Sequence, residues 1–361
     1  MKNELKRLGI ALVVSLVLVG MVASLGLSNG RRTDGVYYEA TGIHPDAELI
    51  EVNDEIITAE EYLYWLDYVC NYLTTSSGGT LDLSAPLNEN ATYADYAKMD
   101  ALNTVILRAS ISSWAKEGKL ELTDEDKAAL EEVRQNYIKY YGSEEKYYQE
   151  LQFLGISEEM LMHIESAPLI YTHVQEAFTN PEGSLYPGDE AVDAFAEAQG
   201  FVTARLLFFA TTGMDEDGVA DVEKKAESYA KQLNKAKDTE KTYEKLAKKL
   251  ELNTDPKGLT IHPGTSDPAV CAAISQLKVG EVSGVIKGEN GFYVAVRMPL
   301  DKSSVSVELY NSALQTRTES VKMDVNRSLY QKINAAEFYQ DLREARTALK
   351  QELKDSAHKN P

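Results

Sequence analysis

Side chains able to do nucleophilic or metal chemistry are few and scattered here, since the 361 residues include two cysteines and five histidines. Cys70 falls in an apolar stripe with Tyr62, Leu63, Leu66, Val69 and Leu73 and has no histidine near it in sequence. A packed core thiol is therefore expected, not a nucleophile. Cys271 lies far away in what reads as a different domain. Two buried free thiols are expected, with a single disulfide as the alternative. No Cys, His, Asp or Glu spacing matches a metal site, and no cofactor is expected. His262 stands in the loop His262-Pro263-Gly264, where an exposed side chain is expected.

Tyrosine is the residue in which one region is rich: Tyr62, Tyr64, Tyr68, Tyr72, Tyr137, Tyr140, Tyr141, Tyr147 and Tyr148. Packing between helices, with hydroxyls reaching water, accounts for them. The functional alternative is a tyrosine-lined cradle for extended, partly apolar peptide, because tyrosine offers contact area at low entropy cost.

The element that positions the remaining candidates runs from Leu277 to Met298. Val282 to Lys287 reads as a short strand, Glu289-Asn290-Gly291 as a turn and Phe292 to Met298 as a second strand. Asn-Gly between two β-rich runs signals a hairpin. Tyr293, Ala295 and Arg297 alternate with Phe292, Val294 and Val296, one set for each face of a sheet.

The chain is long enough for two or more domains. Lys and Arg number 37 against 57 Asp and Glu, a net charge of -20. Nucleic-acid phosphate binding is excluded, since it needs a basic face. Leu8 to Leu27 is an uncharged run of 20 residues, enough to span a bilayer as a helix. Lys2, Lys6 and Arg7 precede it and place the N-terminus inside. Residues 1–32 thus read as a cytoplasmic stub and membrane anchor, with most of the chain extracytoplasmic. A cleaved signal peptide and a secreted chain are the alternative.

Residues 45–180 read as an all-helical domain behind two very short strands in Ala47 to Ile57. Thr58 and Glu61 form a capping box for a helix, and Thr123 with Asp126 opens another. Ser143 and Ser157 start two more, and Gly142 and Gly155 end those before them. Pro168 is expected to kink or reset the helix running to Phe178. Residues 181–200, with Pro181, Gly183, Pro187 and Gly188, read as a linker and short helix. Residues 201–299 then give a strand from Phe201 to Ala210, two helices, and a short strand near Leu259 to Ile261. A helix capped by Asp267-Pro268 and the hairpin follow, an α+β unit with a small antiparallel sheet.

This last region resembles the parvulin-type peptidyl-prolyl isomerases. The resemblance rests on Ala204-Arg205-Leu206-Leu207-Phe208, Ala272-Ala273-Ile274-Ser275-Gln276-Leu277, Gly280-Glu281-Val282-Ser283 and Gly291-Phe292-Tyr293. With the helical part before it, the chain resembles the PrsA- and SurA-like extracytoplasmic foldases of bacteria. Prolyl isomerisation needs no nucleophile. It must lower a rotation barrier of about 18–20 kcal/mol by holding the ring and stabilising a twisted amide. The resemblance implies two histidines, a Cys or Asp beside them, and a Met and Phe slot for the ring. Leu206 and Tyr293 stand at the histidine positions, and Lys257 at the third. Ser266 and Val270 stand in the slot, which Ile274, Phe292 and Tyr293 would complete as the substrate-binding set. Weak or absent isomerase activity is therefore expected.

Ser306 to Lys354 reads as one continuous helix, and residues 300–361 as a C-terminal helix packing back on the helical domain. A dimerising coiled coil is the alternative. The expected partners are unfolded or proline-containing polypeptides and, through Leu8 to Leu27, a membrane. Two other functions stay open: an active prolyl isomerase, and a structural or assembly protein of the cell envelope.

Overall fold

The computed structural model describes residues 27–253 and 255–359. They form two compact units: residues up to Val174 together with those from Ala313 onward, and Gln175–Ser312. Among the described residues no helix is long and apolar enough to cross a membrane. The expected anchor, Leu8 to Leu27, lies outside them except for Leu27.

In the first unit, helix α1 (Val36–Thr41) precedes strands β1 (Glu48–Val52) and β2 (Glu55–Thr58). Asn53 and Asp54 join the strands with φ of 49° and 66°. That is the two-residue turn whose twist suits an antiparallel pair. Thr58 caps α2 (Ala59–Ser76) by accepting the Glu61 N–H. Helix α3 (Tyr93–Gly118) and helix α4 (Asp124–Tyr141) each begin in a capping box, Thr92 with Asp95 and Thr123 with Asp126. Helix α5 (Glu144–Leu154) follows, and α6 (Glu158–Thr179) runs through Pro168 without ending there.

The second unit opens with α7 (Asp189–Gln199), then β3 (Val202–Ala210), α8 (Glu216–Asn234) and α9 (Thr239–Lys249). Strand β4 (Leu259–Ile261), α10 (Pro268–Ser275), β5 (Ile286–Gly288) and β6 (Gly291–Arg297) complete it, and α11 (Lys302–Glu319) begins in it. The sheet order is β4-β3-β6-β5, antiparallel throughout. Side chains alternate across it. Leu207, Phe209, Phe292, Val294 and Val296 meet Ala226, Ala230 and Leu233 of α8 and Tyr243 and Leu246 of α9. The other face carries Val202, Ala204 and Ala295 against Val270, Cys271 and Ile274 of α10.

Three expectations need correction. The 45–180 region is not all-helical, because β1 and β2 belong to a three-stranded sheet completed by β7 (Met323–Val325) in the order β2-β1-β7. For the same reason the tail is not one long helix. It breaks after Glu319, where Val321, Met323 and Val325 alternate inward as a strand. Helix α12 (Arg327–Tyr330) and helix α13 (Ala335–Lys359) follow. Third, the strand expected from Val282 to Lys287 is regular only from Ile286. Upstream, Val282 forms an isolated bridge with Val296, and the Ser283 hydroxyl takes the Ala295 N–H at 2.8 Å.

Helix α13 packs against α1, α2, α3 and α5, burying Ala335, Phe338 and Leu342. That burial uses the apolar stripe on which a coiled-coil dimer would depend. Polar contacts pin it as well. Arg346 donates to both Asp67 carboxylate oxygens, at 3.3 and 2.7 Å, and to the Phe153 carbonyl at 2.7 Å. Lys98 reaches the Ile333 carbonyl at 2.7 Å.

Candidate functional site

Because alternation sorts β3 and β6 by parity, Leu206, Phe208, Tyr293 and Ala295 share the α10 face. Leu206 pairs with Ala295 and Phe208 with Tyr293, so the two positions singled out in the sequence are diagonal neighbours. The Phe208 and Tyr293 rings lie 4.8 Å apart at 33°. Ile286 pairs with Tyr293 from the other side. Val270 and Ile274 of α10 close the patch from above; both are buried.

Gly288 explains how these groups fit together. A Cβ there would stand 2.6 Å from Asp267 Oδ2, 2.8 Å from Tyr293 Cε2 and 3.3 Å from Val270 Cγ2. Only glycine leaves room for all three. Asp267 ties the patch to the hairpin: its carboxylate accepts the Ala269 N–H at 2.9 Å, capping α10, and the Glu289 N–H at 2.7 Å. The Glu289 amide, more than any other group, holds this carboxyl below its usual range. Burial pushes the Tyr293 hydroxyl upward, and the Asp267 charge adds to it. The phenol is therefore a neutral donor. The patch can hold an apolar ring and offer one hydroxyl. Leu206 adds nothing polar to a rotating amide.

Not every expected site residue comes to this place. Phe292 is buried on the opposite face with Val294 and the α8–α9 helices, as its neighbour Tyr293 requires, so it cannot line the slot. Lys257 is exposed in the turn before β4, its N–H on Asp255. Ser266 is half-buried just ahead of the α10 cap, its N–H on the His262 carbonyl. His262 is not the exposed loop residue expected. It is half-buried, its ring 4.4 Å from the Phe201 ring and tilted 31° to it, with the Gly264 N–H on Nδ1. Cys70 and Cys271 are both buried free thiols, and burial pushes the Cys70 thiol up to about 12.

Phe208, Ile286, Gly288 and Asp267 were missed as site residues. Phe208 was legible, because it lies two positions from Leu206 on the same strand. The Asp267–Glu289 link joins residues 22 apart in sequence and carries no local signal. The tyrosines divide. Tyr62 and Tyr147 are core residues, whereas Tyr68, Tyr72 and Tyr140 are exposed.

Residues 215–298 match the family model described as the PPIC-type PPIASE domain. This part of the chain is a PPIC-type domain. The match takes in Lys257, Ser266, Val270, Ile274 and Tyr293, and it begins after β3, so Leu206 lies outside it. Comparison with curated proteins gives no match. Among solved structures, PrsA from Bacillus subtilis is 18% identical, over 66% of this chain and 91% of that one, with a TM-score of 0.28. PrsA from Streptococcus pneumoniae is also 18% identical, over 73% and 92%, with a TM-score of 0.23. A SurA-like chaperone of Campylobacter jejuni is 13% identical, over 77% and 98%, with a TM-score of 0.22. Superposition at these scores says nothing about the site of the PPIC-type domain, which rests on its own residues.

Proposed function

We propose that this chain is an extracytoplasmic foldase, anchored through Leu8 to Leu27, that holds unfolded or newly exported polypeptide. Its PPIC-type domain serves as a proline-accepting binding surface with weak or no isomerase activity. One observation carries the second statement: the α10 face presents Leu206, Phe208, Tyr293 and Ala295, a patch for a proline ring with a single hydroxyl and no imidazole. A catalyst must stabilise the twisted amide more than the planar one, and a lone phenol does little of that.

The test is a protease-coupled assay of the full-length chain on an X-Pro peptide, alongside aggregation of a denatured client. Suppressed aggregation with little turnover is expected. Robust turnover that disappears in Tyr293→Phe would instead favour the second reading, an active isomerase using the Tyr293 hydroxyl. No effect on aggregation and no turnover would leave an envelope structural or assembly role.

A further inference from the structure

The chain total of -20 hides a local reversal of sign. Residues 224–249, the C-terminal part of α8 and all of α9, hold nine lysines against four acidic residues, a local +5. All nine lysines are exposed. Helical periodicity gathers most of them on one side of each helix. Lys224, Lys231 and Lys235 lie opposite the buried Ala226, Ala230 and Leu233 of α8. Lys241, Lys245 and Lys248 lie opposite the buried Tyr243, Leu246 and Ala247 of α9. The two helices pack on each other and on the same face of the β4-β3-β6-β5 sheet. Their outer sides therefore form one lysine surface.

Ordinary helix chemistry accounts for part of it. Lysines in a last turn favour the macrodipole, which covers Lys231, Lys248 and Lys249. It does not cover Lys224, Lys225, Lys237, Lys241 or Lys245. Neighbouring carboxylates do not neutralise the surface either. Lys224 meets Asp221 at 3.0 Å and Lys231 meets Glu227 at 3.3 Å, exposed pairs within one helix that contribute little. Glu240 is taken by the buried Arg205 guanidinium at 3.0 Å. Among the described residues Lys235, Lys241, Lys245 and Lys248 form no ion pair.

Between the helices the surface dips into a cleft of about 640 Å³. Lys224, Lys231 and Lys235 line it with Ser228, Gln232 and Thr242, and no carboxylate among the described residues does. Three ammonium groups beside hydroxyl and amide donors suit a phosphate. Extent decides what carries that phosphate. A single free phosphate fills the cleft and leaves Lys237, Lys241, Lys245 and Lys248 without a counter-charge, whereas a plane of phosphates meets both helices at once. A plane also touches this face alone, so the acidic remainder of the chain stays in water.

We propose that the outer face of α8 and α9 docks on the anionic headgroup surface of the membrane, its lysine cleft taking a headgroup phosphate; this rests on the anchor proposed above and adds a second contact with the same membrane.

The test is lysine acylation, read residue by residue by mass spectrometry, on the full-length chain with vesicles at about 0.15 M NaCl. Phosphatidylcholine vesicles are compared with vesicles holding roughly 30% phosphatidylglycerol, an anionic surface. An amine reacts only when neutral, and the attraction of one lysine to such a surface lowers the neutral fraction about fivefold. Lys235, Lys241 and Lys245 should therefore react about fivefold more slowly with the anionic vesicles. Lys139, Lys146 and Lys350, exposed in the first unit, should react at unchanged rates. At about 1 M NaCl, where screening acts within about 3 Å, the difference should vanish. Gln at positions 235, 241 and 245 together should lift the protection of Lys224 and Lys248, and Gln at 139, 146 and 350 should not. Equal rates with the two vesicles, or equal slowing at the first-unit lysines, overturn the docking. Protection in phosphatidylcholine vesicles by inorganic phosphate or by a short oligonucleotide also overturns it, giving the face to a free phosphate or to nucleic acid. Flotation separates the two readings. A chain that floats with both vesicles and shows no protection refutes the docking alone. One that floats only with anionic vesicles and keeps the protection refutes the anchor alone, and one that floats with neither refutes both.

Discussion

Arg346→Ala should uncouple the C-terminal helix from the rest of the first unit. The guanidinium is 15% exposed and the Asp67 carboxylate 12% exposed, and their closest approach is 2.7 Å. Removing the cation leaves a carboxylate buried without its partner and takes donors from the Phe153 and Leu154 carbonyls. Breaking one side of a buried pair costs about 3–5 kcal/mol. Both tryptophans, Trp65 and Trp114, lie in the first unit, so urea unfolding followed by tryptophan fluorescence reports this unit alone. The pH dependence has a definite sign. Burial raises the Asp67 carboxyl more than Arg346 lowers it. A raised group contributes stability that is complete below the unfolded value of about 3.9 and fades as pH rises through the folded one. Without Arg346 the opposing influence is gone. The gap between parent and variant should therefore widen from pH 4 to pH 7. Leucine at both positions 67 and 346 should recover most of the loss, since an apolar pair of similar volume needs no counter-charge. A gap under about 1 kcal/mol at pH 7, set against that expected cost, or one independent of pH, would refute the reasoning.

Three further outcomes follow from the second unit and the thiols. Gly291→Ala should break the β3–β6 pairing at its end, because a Cβ there would stand 2.1 Å from the Phe209 carbonyl oxygen. Hydrogen exchange should show lost protection in β3 and β6 with the first unit unchanged. Asp267→Ala should cost about 1–3 kcal/mol, a helix cap and a charge-assisted bond together. This carboxyl is depressed, so its contribution is present at neutral pH and fades as pH falls through the folded value. Parent and variant should then converge in acid, as read by tyrosine fluorescence in urea at two pH values. Thiol reagent at pH 8 should leave native Cys70 unmodified, since burial pushes it up to about 12, and should label both cysteines after denaturation. Rapid labelling of Cys70 in the folded chain would contradict its place in the core.

Local chemistry made the second unit readable. The apolar run Phe201 to Ala210, the alternation in Phe292 to Met298, the Asp267-Pro268 cap and the Glu289-Asn290-Gly291 turn all act within a few residues, and they became β3, β6, α10 and the β5–β6 turn. The same alternation should have excluded Phe292 from a slot that contains Tyr293, and should have added Phe208. What stayed hidden was non-local. Strand β7 has three residues and no turn signal of its own; β1 makes it a strand. The capping residues Thr58 and Thr123 marked helix starts reliably, whereas nothing near Ser320 announced a stop. His262 was assigned by its loop, and the Phe201 ring that covers it comes from a segment about 60 residues earlier.

Strand β7 has a bearing on the order of events as the chain is made. It completes its sheet on β1, with register Ile50 opposite Val325, and the whole second unit is synthesised between those two strands. The second unit is contiguous and can fold as soon as it emerges. The earlier segment cannot. Until residues 321–345 arrive, the surfaces that take Val325, Phe338 and Leu342 are uncovered, and β1 presents an unpaired edge. The chain thus passes through a stage in which its first unit is incomplete while the second, contiguous in sequence, has all of its residues.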